Sequence, residues 1–205
     1  MGKSVTSDTI TLGTKDHPVR TAFLRGYTPK PFQNGGDPRF ECSFLLDPSD
    51  PVHAENIKEL KAKGLEVATA VYGDDLEGLA TCLTKGDRKN YDGYKGMMVL
   101  ASHNKQRPVI VNRSRTPVVE GDKEAPYSGC YCIGKVSLWA IKNQYPNRVS
   151  CNFKALQFVK DGPAFGGAAP IDAEEEFEAL EPTKGGASSS GGVTKVSGKN
   201  PFEDD

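Results

Sequence analysis

The sequence predicts a mainly β protein: a small, sharply coiled barrel with one amphipathic helix and long loops, trailed by a flexible acidic arm. Three observations carry this. Stretches of alternating apolar and polar residues recur between Val19 and Lys160, and a period of two marks a strand with one buried face. The 22 Gly and 14 Pro oppose a helical bundle and favour a build rich in strands and loops. Composition then shifts after residue 170, dividing the 205 residues into a folded domain, 1–170, and a C-terminal tail, 171–205. The overall charge of -1 hides a net of +5 in the first part and -6 in the second. A basic body with an acidic arm is the polarity of a chain whose folded part meets a polyanion.

Taken in order, residues 1–17 are polar and read as an arm or a weak first strand. Val19 to Arg25 alternates, with Val19, Ala22 or Phe23, and Leu24 competing for the interior. The stretch GYTPKPFQNGGDP sets Tyr27, Lys30 and Phe32 among prolines and glycines and predicts an exposed loop, its two rings projecting or folding back. Arg39 to Leu46 puts Phe40, Cys42, Phe44 and Leu46 on one strand face. From Val52 to Tyr72, Ile57, Leu60, Ala68 and Val71 fall at helical spacing behind an Asp50 or Ser49 cap, with Gly64 as a weak point. That single helix packs across one end of the barrel. Met97 to Ser102 and Pro108 to Asn112 are short strands.

The two longest strands come last, in Ser128 to Lys160, joined by the turn Asn143-Gln144-Tyr145-Pro146-Asn147. In the first, Cys132, Gly134, Val136, Leu138 and Ala140 share a face that suits a tight interior. Tyr131, Ile133, Lys135, Ser137, Trp139 and Ile141 share the other. In the second, Val149, Cys151 and Phe153 keep one phase while Leu156 and Phe158 take the opposite one, so an extra residue near Lys154 predicts a bulge. Bulged, coiled strands are how small barrels close.

The chemistry lies in basic residues interleaved with rings. Lys85, Arg88, Lys89, Tyr91, Tyr94 and Lys95 sit among Gly86, Gly93 and Gly96. Glycines admit close backbone approach, cations track phosphates, and rings stack on any base. Trp139, Tyr131 and Lys135 on the long strand, with Lys154, repeat the combination. Arg107 and Arg113 flank a short strand with guanidinium groups suited to phosphate or base, ion pairing with Glu120, Asp122 or Glu124 being the alternative for each. These residues point to a sequence-tolerant binder of single-stranded nucleic acid, the competing reading being half-solvated strands and loops.

Other classes find less support. Acids such as Asp74, Asp75, Glu77, Asp87 and Asp92 form no recognisable constellation with a nearby Lys and His, so a metal-dependent nuclease is the weaker alternative and no enzyme is predicted. The five cysteines are odd in number without a CxxC pair and read as reduced core residues. A zinc site on Cys130, Cys132 and one of His17, His53 or His103 would have two same-face ligands and nothing nearby to complete four. No cofactor is expected. No apolar run approaches membrane-spanning length and the N-terminus lacks a secretory core, so the expected place is the cytoplasm, with no membrane partner. Thr183 to Gly198 is a flexible linker of mostly Gly, Ser, Thr and Lys, closing on Phe202, Glu203, Asp204 and Asp205. One ring among terminal acids reads as a short partner-binding motif that can also compete for the basic surface.

Four stretches, TKGDRKNYDGYKG, RPVIVNR, YSGCYCIGKVSLWA and LQFVKDGPAFG, together resemble the single-stranded-DNA-binding proteins of tailed bacteriophages, a family long described as a domain of unknown function and related in fold to phage helix-destabilising proteins. The resemblance spans roughly residues 18–167. It implies a five-stranded OB-fold barrel and sequence-independent binding of single-stranded DNA in phage replication, recombination or repair, in the cytoplasm of the bacterial host. By position it falls on Lys85, Arg88, Lys89, Tyr91, Tyr94 and Lys95, and on Tyr131, Lys135 and Trp139. The tip is similar to the acidic tails by which such proteins recruit a polymerase or helicase, except that three acids follow Phe202. Monomer and homodimer remain alternatives, and a strand-annealing or protein-interaction module is the competing function.

Overall fold

The computed structural model describes residues 2–32 and 36–165. Its strands are β1 (Ser4–Thr6), β2 (Ile10–Leu12), β3 (Val19–Phe32), β4 (Gly36–Leu46), β5 (Ala80–Thr81), β6 (Leu83–Lys85), β7 (Met98–Asn104), β8 (Val109–Val111), β9 (Tyr131–Ile141) and β10 (Arg148–Lys160), and its helix α1 spans Pro51–Tyr72. Strands β9, β3, β4, β7 and β10 pair in that order, and β10 returns to β9, closing a five-stranded barrel. Neighbours around the barrel are antiparallel except β7 and β10, which run parallel. This is an OB-fold-like barrel, with α1 inserted in the chain between its strands β4 and β7.

Burial follows the alternation. Phe40, Cys42, Phe44 and Leu46 of β4 and Cys132, Gly134, Val136, Leu138 and Ala140 of β9 all face inward. The barrel is narrow enough that Phe44 meets Phe153 edge to face at 6.1 Å. The bulge in β10 is present: Phe153 pairs with Val136 and Ala155 with Lys135, leaving Lys154 outside the ladder. Ile57, Leu60, Val67, Ala68 and Val71 of α1 lie buried against the barrel. The cap is Asp50, whose Oδ1 accepts from the Val52 and His53 amides at 2.9 and 3.1 Å. Gly64 does not interrupt the helix. No helix among the described residues is long and apolar enough to cross a membrane.

One alternative is decided and one expectation changes. Residues 1–17 take the strand alternative as two short pieces, β1 and β2, which follow β3 along the same edge of β9, with Ile10 and Leu12 buried. The GYTPKPF stretch is strand, not loop: β3 runs on to Phe32 and pairs with β4 as far as Lys30 with Arg39 and Phe32 with Gly36. Prolines are tolerated at edge and irregular positions of a ribbon because the missing N–H removes only an outward donor. Tyr27 folds back, its hydroxyl donating to the Pro126 carbonyl at 3.1 Å, and burial pushes that hydroxyl above the usual tyrosine range.

Candidate nucleic-acid interface

The glycine loop folds over the outer face of β3, β4 and β7. Gly86 donates to the Met97 carbonyl at 2.8 Å and Gly96 to Asp87 Oδ1 at 3.0 Å, closing the loop on itself. A Cβ at Gly86 would stand 2.0 Å from the Tyr94 carbonyl oxygen, so only glycine fits. Lys85, Arg88, Lys89, Tyr91 and Lys95 all reach solvent. None of the four cations forms an ion pair among the described residues.

Tyr94 departs from the expectation of a ring free to stack. It is 1% exposed, packed on Ala22, Leu45 and Val99 outside the barrel. Desolvation lifts its hydroxyl to about 12. The reason is the outward phase of β3 and β4, which leaves a second, small apolar patch that the loop must cover. Tyr94 is therefore a floor, and on it stand Tyr91 at 5.3 Å and Phe165 at 6.5 Å, both edge to face.

The second ring at the rim was not legible in the sequence. Ala22 pairs with Ser43 and Arg25 with Glu41, so Phe23 and Leu24 together oppose Cys42 in a bulge. Leu24 turns to the main core, while Phe23 takes the left-handed conformation, φ 49°, and stands 46% exposed, 5.2 Å from Tyr91. After β10 the chain doubles back: the Phe165 amide donates to Ser128, and Arg20 donates to Gly129 and Pro163 with its guanidinium 3.8 Å over the Phe165 ring. Arg20, Phe23, Tyr91 and Phe165 thus wall a groove of about 610 Å³ with Tyr94 as its base. Adjacent Ala, Phe and Leu in VRTAFLR, which cannot all alternate, were the one available signal for Phe23.

Of the remaining candidates, Tyr131, Lys135, Trp139 and Lys154 belong to β9 and β10, and Arg107 and Arg113 flank β8. Tyr131 faces Arg20 across the β3–β9 register and carries the Lys160 ammonium 4.9 Å from its ring, so it adjoins the groove. Lys135 and Lys154 point outward and bond Thr11 and Thr9 at 3.0 and 2.6 Å. Arg113 realises the ion-pair alternative, 3.6 Å from Glu124, while Arg107 is exposed beside Val109. Trp139 is half-buried rather than open: its ring lies over the outside of β10 against His103 at 6.4 Å, and its indole nitrogen is shielded from solvent. Burial first, then Arg39 and Arg148, hold His103 below the usual imidazole range. Phe202, Glu203, Asp204 and Asp205 fall outside the described residues.

Comparison with known proteins adds a lineage to this geometry. A family model described as the ssDNA-binding protein of Enterobacter phage Enc34 matches residues 10–187. A protein designated p50, of Acyrthosiphon pisum secondary endosymbiont phage 1, is 33% identical over 174 residues, 79% of this chain and 90% of its own. Among solved structures, the single-stranded DNA-binding protein from bacteriophage Enc34 in complex with ssDNA superposes with a TM-score of 0.64 at 21% identity, covering 77% of this chain and 89% of that one. Its C-terminal truncation gives 0.63 at 22% identity, covering 77% and 88%.

Proposed function

The chain belongs to the family of the single-stranded-DNA-binding protein of Enterobacter phage Enc34, and from that premise we propose that it binds single-stranded DNA without sequence preference and is a binding protein, not an enzyme. The observation that carries the reading is the rim of the groove: two exposed rings, Phe23 and Tyr91, beside four cations free of ion pairs among the described residues. Each base stacked on such a ring contributes about 1–3 kcal/mol whatever its identity. Lys85, Arg88, Lys89 and Lys95 neutralise phosphates, and the strand continues past Tyr131 along Lys135 and Lys154.

The biological setting is phage DNA replication, recombination or repair in the host cytoplasm. Phe202, Glu203, Asp204 and Asp205 recruit a polymerase or helicase when the body is on DNA and compete with DNA when it is not. Deleting residues 183–205 accordingly tightens binding at low salt, and unchanged affinity there would overturn the competition.

Trp139, the single tryptophan, supplies the test. Its fluorescence is titrated with dT oligomers of several lengths at two salt concentrations, with polarisation of a labelled oligomer and of equally charged duplex alongside. Binding that favours single strands and weakens with salt is expected. Quenching extends the contact to the β9 face, intact binding without quenching confines it to the groove, and no binding overturns the reading.

A further inference from the structure

We propose that the groove bounded by Phe23, Tyr91 and Phe165 takes one unpaired base out of the strand, and that this pocket is what makes the protein prefer single strands to duplex. The proposal rests on the DNA-binding reading above and names the subsite within it.

Four observations converge on a base as the occupant. The volume, about 610 Å³, lies within the range of small-ligand sites, roughly 300–1,000 Å³, and exceeds what packing defects leave. The walls are rings, with Arg20 and Asp92 the one cation and one carboxylate among the described lining residues. Such a lining is close to neutral, which suits a base and gives a phosphate little. Arg20 is already held by two carbonyls and stacked on Phe165, so it serves as a fixed wall. The free cations stand in the adjoining loop, where they meet the backbone on either side of an inserted base.

Phe23 is the strongest single sign. A non-glycine residue in the left-handed region is strained, and a phenylalanine gains nothing there that glycine would not supply more easily. Here the strain holds a large ring half out of the surface, at the lip of the groove, through a bulge that spends one residue of β3 to do it. Strain retained at a surface ring is the pattern of a functional site. A base in duplex is stacked on both sides and paired at its edge, so entry requires unstacking and unpairing, costs that a single strand largely avoids.

The test uses the full chain with Phe23→Gly and Tyr91→Ser, a dT oligomer carrying one 2-aminopurine, and a duplex of equal charge. Phe23→Gly removes the ring and relieves the backbone, so its melting temperature stays level or rises while binding falls, which a merely structural residue cannot do. Each variant is expected to lose at least about fivefold in affinity for the oligomer and to leave duplex binding within about twofold. The 2-aminopurine emission drops on binding to the original chain and recovers with either variant. If the original chain binds the oligomer but both variants bind it equally well, or lose oligomer and duplex alike, the pocket is overturned and the DNA-binding reading stands. If the original chain binds neither DNA, that reading fails and the pocket with it.

Discussion

Gly134 shows how little room the barrel interior leaves. It pairs with Leu12 on one side and Leu156 on the other, and an added Cβ would stand 2.6 Å from Phe44 Cε1. Gly134→Ala is therefore expected to cost about 1–3 kcal/mol through overpacking, read by urea denaturation, and the further change Phe44→Leu should recover part of it because the two positions touch. The inward face of β9 was legible because alternation is local and Cys132 to Ala140 keep it without a break. Phe23 was not. Its side of the strand is decided by the register against β4, sixteen and more residues away, and no local pattern of VRTAFLR states where a bulge falls. The burial of Tyr94 is hidden for a related reason: the apolar patch that covers it is assembled from Ala22, Leu45 and Val99, which no sequence window contains together.

At the scale of elements, α1 is anchored by its first turn. Asp50 caps the helix with one carboxylate oxygen and meets the His17 ring nitrogen at 2.7 Å with the other, and that bond is the main reason its pKa falls from 3.8 to about 2. A depressed folded-state value means the stabilisation is complete above the unfolded pKa and is lost as pH falls from near 4 towards 2. Asp50→Asn keeps the cap and should flatten the pH dependence of thermal stability in that window. Asp50→Ala removes the cap as well and should cost about 1 kcal/mol at neutral pH. The helix and its cap were readable because capping is a matter of neighbouring residues. The extension of β3 and β4 was not, since prolines and glycines ordinarily mark a turn, and it takes the pairing of Lys30 with Arg39 and of Phe32 with Gly36 to show a ribbon.

For the whole molecule, affinity follows the number of phosphates neutralised. Replacing Arg88 and Lys89 with alanine should weaken binding to all single strands alike and reduce the slope of log affinity against log salt by about 0.7 for each phosphate that is no longer neutralised, measured by titration across salt. Closure of the barrel has a different consequence, one that concerns synthesis. Ser4 pairs with Ile141, Leu12 with Gly134 and Val19 with Cys132. The first strands thus leave the ribosome long before their partner exists, and at about 5–20 residues per second the wait is on the order of 10 s. Through that interval β3 has β4 to pair with and α1 reaches the chain around Thr11 and Gly13, but Ile10, Leu12 and Val19 lack the strand that completes their burial. The barrel closes only once β9 and β10 have been made, and a ribosome stalled before Tyr131 holds a substrate for chaperones.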